Sequence, residues 1–311
     1  HRLVVPRVAG SNPVCRPIFL NLRIIIKSFL LVSAILTGGL LNGVPRLFPK
    51  SSSVSEYLNL SYGSDPKQVL DVVSSGKCKK SPVIIFAHGG SWRWGQKDYH
   101  RTIGQQFAKS GIVFTTIDYR LYPDVRFPSF PQDVALSVQW VRENISKYGG
   151  DRNKIFLMGH SAGAHSVSLV GLDSKYLQEL GGDLDWIKGV IPMACPFEFD
   201  PSKEFLYRDL FPRELDATKL MPMGIQLEGD IPTFFIMQGW LDPIISNESA
   251  LAFARKVKKA GGRAQVKLYR THGHFSLVRR TTSWHIWPSP LLKDVVSFIE
   301  SEFESDMKLK N

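Results

Sequence analysis

Cysteine is scarce in this sequence. Cys15, Cys78 and Cys195 stand far apart in 311 residues, so the odd count gives no disulfide framework and the spacing matches no metal motif. The histidines are scattered as well, and neither residue type points to a metal centre. No internal repeat or low-complexity linker interrupts the chain beyond residue 65. Acidic residues are missing from the first 50 positions, which hold Arg2, Arg7, Arg16, Arg23, Lys27, Arg46 and Lys50. Seven of the net +11 charges therefore lie there. The remainder is only mildly basic, which argues against a nucleic-acid partner.

Within that basic segment runs "SFLLVSAILTGGLLNGV", residues 28–44. A basic flank before about 17 apolar or small residues fits a signal peptide or short membrane anchor, with a buried or amphipathic helix as the plain alternative. The positive-inside tendency keeps the basic end cytoplasmic and sends the rest into the secretory lumen, with the endoplasmic reticulum as the expected location and the cytoplasm as the alternative. The triplets Asn59-Leu60-Ser61, Asn144-Ile145-Ser146 and Asn247-Glu248-Ser249 are compatible with a lumenal site. Residues 1–50 are read as a signal or anchor segment and 51–311 as a single domain.

With 43% hydrophobic and 22% charged residues, the chain has the composition of a globular protein with a substantial core. Short β-branched or aromatic runs occur at 82–88, 112–118, 154–160, 188–194, 232–239 and 264–270. Helical spacing occupies roughly 100–110, 131–147, 161–173, 246–260 and 289–305. Near-continuous apolar strands alternating with helices predict an α/β domain with a mostly parallel sheet covered on both faces. The stretch 196–229, rich in Pro, charge and aromatics, reads as an insertion above the carboxyl ends of the strands, where ligands bind in such sheets.

The segment "KIFLMGHSAGAH", residues 154–165, places Gly159-His160-Ser161-Ala162-Gly163 between a predicted strand and a predicted helix. That is the context of the G-x-S-x-G turn, in which small residues permit a tight bend that exposes the serine hydroxyl. The plain alternative is a Gly-Ser loop with Ser161 as a helix N-cap. A second glycine-rich turn, "AHGGSWRWG" at 87–95, follows an earlier strand. Its backbone N–H groups, from Gly89 and Gly90, together with that of Ala162, suit a developing oxyanion. An ordinary β-to-helix turn is the competing account.

A serine nucleophile requires a base, and in this order of elements an acid and then a histidine follow it. Asp242 in "MQGWLDPII" follows a strand directly, and "LYRTHGHFSL" offers His272 and His274 after the last one. Asp230 precedes its strand and falls at the wrong end. His160 and His165 flank the elbow without reaching the attack face of the serine, and His88 suits holding the oxyanion loop. His100 and His285 have no strand-end context and are read as surface or packing residues.

From residue 66 to about 300 the chain resembles α/β-hydrolase esterases of the hormone-sensitive-lipase and carboxylesterase group. The segments "GQQFAKSGIVFTTIDYRLYP", "YGGDRNKIFLMGHSAGAH" and "QGWLDPII" are most similar to the branch of prenylcysteine methylesterases, kynurenine formamidases and bacterial esterases of the BD-FAE type. The resemblance implies the α/β-hydrolase fold, Ser161 as nucleophile, Asp242 and His274 as its partners, and Gly89, Gly90 and Ala162 as oxyanion donors. It also selects His274 over His272, because in such sequences the catalytic histidine stands five residues after the strand-ending tyrosine, here Tyr269.

Two positions depart from the lipase-like pattern: Ser91 replaces a third glycine and His160 an aspartate. "DYRLYP" at 118–123 recurs in the group, with Asp118 and Arg120 expected to form a structural ion pair. Trp92 and Tyr122 are candidates for lining the substrate pocket, with core packing as the alternative, as it is for Trp94. The expected activity is two-step hydrolysis of a small-molecule ester, without metal or organic cofactor. The rivals are hydrolysis of an N-formyl amide and a non-catalytic hydrolase fold used for binding.

Overall fold

The computed structural model describes residues 54–76, 79–212, 217–281 and 290–308. The readings placed on residues 1–50, on Cys78 and on His285 lie outside the described residues. Among the described residues no helix is long and apolar enough to cross a membrane.

Among the described residues eight strands form one sheet: β1 (Ser55–Ser61), β2 (Val69–Ser74), β3 (Ser81–Ala87), β4 (Val113–Ile117), β5 (Gly150–His160), β6 (Ile187–Met193), β7 (Thr233–Gly239) and β8 (Ala264–Tyr269). Their order is β1-β2-β4-β3-β5-β6-β7-β8. β1 and β2 join antiparallel at one edge and all the others run parallel. Alternate side chains of the inner strands enter opposite layers, as the period of two requires. Val83, Ile85, Ile155 and Leu157 belong to one core, and Ile84, Phe86, Phe156 and Met158 to the other. A strand buried on both faces carries no polar alternation, which is why these segments read as continuous apolar runs.

Among the described residues the longer helices that cover the two faces are α1 (Arg101–Lys109), α2 (Ser129–Asn144), α3 (Ala162–Val170), α4 (Asn247–Lys259), α5 (His274–Thr281) and α6 (Pro290–Lys308). Val134, Val138 and Val141 of α2, Val167 of α3 and Phe253 and Val257 of α4 fill the first core. Phe107 of α1, Leu277 of α5 and Val295, Phe298 and Ile299 of α6 fill the second. Spacings of three and four place each set on one helical face. The last of these helices accounts for the helical spacing at 289–305, and its partner α5 is an addition that the sequence pattern did not suggest.

β1 and β2 are also additions. The edge strand β1 is exposed or half-buried at every position and so lacks an apolar run. β2 carries the fully buried Asp71, whose charge breaks its run. That carboxylate is satisfied by Lys97 Nζ at 2.9 Å, Arg101 Nη2 at 3.3 Å and the Asn59 N–H at 2.8 Å. Burying a carboxylate costs several kcal/mol unless such partners neutralise it.

The expected Asp118–Arg120 pair does not form. Arg120 instead grips Asp133 of α2, with Nη2 2.6 Å and Nε 3.1 Å from Oδ1 and Nε 3.0 Å from Oδ2. Asp118 accepts the backbone N–H of Lys97 at 2.6 Å. The planar guanidinium matches a carboxylate presented from across the loop, which a neighbour two residues away on the same chain does not provide. Asp133, 1% exposed, also takes the Gln68 amide at 2.7 Å and the Arg120 N–H at 2.9 Å. Asp133→Ala strands three donor groups, so it is expected to lower stability by about 3 kcal/mol in urea unfolding; a loss under about 1 kcal/mol would show this network to be dispensable.

Candidate active site

The parallel strands deliver their carboxyl ends to one edge of the sheet, and the predicted site residues gather there. β5 ends at His160, and Ser161 makes the turn into α3 at φ 52° and ψ −117°. A left-handed conformation at a non-glycine residue costs of order 1–2 kcal/mol and needs support from its surroundings. The Ser161 N–H donates to Met193 O at 2.9 Å, tying the turn to β6. The flanking glycines are required by contact. A Cβ on Gly159 would lie 2.6 Å from the backbone of Gly163, and one on Gly163 would lie 2.2 Å from Ala87 O.

His274, at the start of α5, places Nε2 3.0 Å from Ser161 Oγ and Nδ1 2.9 Å from Asp242 Oδ2. The Asp242 side chain is fully buried, and its Oδ1 accepts the N–H groups of Ile244 at 2.8 Å and Ile245 at 2.9 Å. Burial pushes its carboxyl pKa up. The hydrogen bond and charge of His274 and the two backbone N–H groups outweigh that effect, and the pKa lies below its ordinary value. An ionised Asp242 fixes the proton on His274 Nδ1 and leaves Nε2 free to accept from the serine hydroxyl. His272 stands apart from this chain, with Nδ1 3.2 Å from Thr271 Oγ1.

Gly89 abuts the serine: a Cβ there would meet Ser161 Cβ at 3.1 Å. Gly90 turns the loop, its carbonyl accepting the N–H groups of Arg93 and Trp94 at 3.0 Å each. Ala162 opens α3, where the first N–H groups of a helix have no partner within the helix. His88 supports the loop as expected, with Nδ1 2.9 Å from Gly89 O, its ring stacked on Tyr119 and its carbonyl taking the Tyr119 hydroxyl at 2.8 Å.

Trp92, 2% exposed, is a core residue rather than an open pocket wall. Its ring packs against Phe130, His165, Phe199, Tyr207 and Phe211. Tyr122 is half-buried with the Arg93 guanidinium 4.1 Å above its ring. Trp94 is exposed. Ser91 and Trp92 both have positive φ, 55° and 56°, and the buried indole anchors that strained pair.

The described part of the 196–229 insertion, between β6 and β7, meets this loop through Leu206 and Tyr207. Arg93 Nη2 donates to Leu206 O at 2.8 Å, and Ser91 Oγ lies 3.2 Å from Tyr207 Oη. Tyr207 and Gln238 escaped the sequence reading. Gln238 Nε2 reaches Asp242 Oδ2 at 3.3 Å and Ile245 O at 3.0 Å, and its position just before the strand-ending Gly239 is the one signal for it. His165 donates Nε2–H to Leu220 O at 2.8 Å, and His100 packs against Phe86. Among the described residues no group of His, Cys, Asp and Glu is arranged to hold a metal ion.

The strand order, the elbow and the flanking helices define an α/β-hydrolase-fold protein. Residues 70–190 match the family model described as BD-FAE. The chain is 29% identical over 275 residues to a probable isoprenylcysteine alpha-carbonyl methylesterase of rice, covering 80% of this chain and 65% of that protein. Esterase LipC of Mycobacterium tuberculosis is 32% identical over 230 residues, covering 66% of this chain and 55% of its own. The chain thus spans between about half and two thirds of these curated relatives. Among solved structures, an inhibited esterase B from Lactobacillus rhamnosis superposes with a TM-score of 0.73 at 20% identity, over 93% of this chain and 99% of that one.

Three buried histidines near the elbow have depressed pKa values, chiefly through burial: His88 and His165 at about 4 and His160 at about 3. The unfolded chain binds protons at these positions below about pH 6.5 while the folded chain does not, so stability falls as pH falls. Each contributes a slope of about 1.4 kcal/mol per pH unit. Far-ultraviolet circular dichroism is expected to show unfolding between about pH 6 and 4. Undiminished stability at pH 4 would contradict the neutral, buried state of these rings.

Proposed function

We propose that this protein is a serine carboxylesterase, with Ser161 as nucleophile, His274 as general base and acid, and Asp242 as the orienting carboxylate. The observation that carries the reading is the continuous Ser161–His274–Asp242 hydrogen-bonded chain at 3.0 and 2.9 Å. Ser161 Oγ attacks the ester carbonyl carbon while its proton passes to His274 Nε2. The N–H groups of Gly89, Gly90 and Ala162 face the oxyanion of the tetrahedral intermediate. His274 returns the proton to the departing alkoxide, leaving an acyl-serine. Water then attacks that ester, gives its proton to Nε2 and releases the carboxylic acid, and Ser161 regains its proton.

The assay is hydrolysis of p-nitrophenyl acetate and butyrate by the full chain. Ser161→Ala and His274→Ala are expected to lose about 1,000-fold or more in kcat, and His272→Ala to retain most of it. Equal rates in all four proteins would sink the nucleophile assignment and favour a binding role. Preference for N-formylkynurenine over an aryl acetate would move the reading to a formamidase.

Within this class we favour a lipophilic ester such as a prenylcysteine methyl ester. Trp94, Phe205, Trp240, Leu241 and Ile244 are exposed on loops that follow β3, β6 and β7, and Phe275 is exposed in the first turn of α5, after β8; the rice relative named a methylesterase supports the choice. Residues 28–44 would hold such an enzyme at a membrane. Full-length protein recovered in the membrane pellet is expected to release methanol from farnesylcysteine methyl ester faster than it cleaves simple acetates. A slower release, or recovery in the supernatant alone, would overturn the corresponding half of this reading.

A further inference from the structure

We infer that His160 is a positioning residue that fixes the main chain of His274 from the nucleophile's own strand; the inference rests on the esterase reading above. His160 ends β5, immediately before Ser161. Its ring is buried, with Nε2 3.0 Å from the carbonyl oxygen of His274 and the two imidazoles 4.8 Å apart. A carbonyl only accepts, so Nε2 of His160 carries the proton and a neutral ring keeps Nδ1 bare. The Nδ1 edge rests on the oxyanion loop, where a Cβ on Gly89 would lie 2.8 Å away. One imidazole thus meets the nucleophile through the chain, the base through a hydrogen bond and the oxyanion loop through contact.

The base needs such a tie because it comes from far across the sheet. His274 follows β8, and β6 and β7 separate that strand from β5. The loop before His274 is held on its own side, with the Leu241 N–H donating to His272 O at 2.9 Å and the Gly273 N–H donating to Ser276 Oγ at 2.8 Å. Neither bond reaches β5. The 3.0 Å gap between Nε2 and Ser161 Oγ must nonetheless be kept, and a displacement of about 1 Å at a reacting centre costs on the order of 100-fold in rate. His160 spans that distance at the first residue of α5.

Neutrality is part of the fit. Burial and then the charge on His274 press the His160 pKa to about 3. No second cation therefore opposes the imidazolium that His274 becomes during acyl transfer. A carboxylate here would turn an acceptor toward the His274 carbonyl, whereas histidine supplies a donor.

The test compares His160→Leu, which removes the donor, with His160→Gln, which retains an amide N–H of similar reach. On p-nitrophenyl acetate the leucine variant is expected to lose about 30-fold in kcat with KM within about twofold, and to shift the acid limb of the kcat/KM profile. The glutamine variant is expected to stay within about threefold of the parent with its acid limb unmoved. Parental kcat in the leucine variant, or equal losses in both, would overturn the inference. If the leucine variant does not fold, the glutamine variant decides, and a loss above about tenfold overturns it. A readout independent of turnover is the ¹⁵N-histidine spectrum of the full chain above its acid transition, where His160 is expected as the Nε2–H tautomer from about pH 6.5 to 8. An Nδ1–H tautomer or an imidazolium would overturn the hydrogen bond even if the protein hydrolysed no ester, the result that would sink the esterase reading by itself.

Discussion

The backbone of Gly163 presses so closely on β3 that no side chain fits between them: a Cβ at Gly163 would lie 2.2 Å from Ala87 O and 2.5 Å from His88 O. This contact brings the serine turn and the glycine-rich loop to one point, because His88 and Gly89 continue from the strand that α3 touches. The strain at Ser161 is supported by that contact and by its hydrogen bond to β6. The rest of the site is assembled around these two turns. Asp242 arrives from the end of β7, His274 from beyond β8, and the insertion after β6 clamps the loop that carries Ser91 and Trp92.

Rigidity at this edge is supplied by the two cores beneath it and by buried polar groups that are neutralised in different ways. Asp71 and Asp133 are met by guanidinium, ammonium and amide donors. Asp242 is held as an ion by backbone N–H groups and His274. His88, His160 and His165 stay neutral, each with a ring nitrogen close to a backbone carbonyl. A neutral imidazole makes such a contact without carrying a charge near pH 7, and its cost is paid on the acid side. The same chemistry lets His274 change charge during reaction while its neighbours do not.

Much of the α/β frame was legible because buried parallel strands are short, apolar and interrupted by helical spacing. The six predicted strands match β3 to β8 within a residue or two at nearly every end, β5 beginning earlier at Gly150. The edge pair β1 and β2 was not legible, since one is too exposed to show an apolar run and the other carries Asp71 in its interior. The Asp118–Arg120 expectation failed for a related reason: proximity in sequence suggested a pair that side-chain direction and Asp133 redirected. Trp92 illustrates a third limit, because an aromatic beside a catalytic loop has the same sequence signature whether it lines a pocket or anchors the loop from beneath.

By itself the sequence determined the parallel sheet, the serine turn with its two glycines and the candidate acid and base at strand ends, because each depends on local contacts and on residue type. The choice of His274 over His272 drew on family spacing, and only the tertiary structure supplied a physical ground for it by setting Nε2 within hydrogen-bond reach of Ser161. The contacts of His160, Gln238 and Tyr207 were likewise decided there. Their partners lie between 4 and 116 residues away, and for His160 and Tyr207 no periodicity or motif records which distant backbone or hydroxyl a buried polar group will meet.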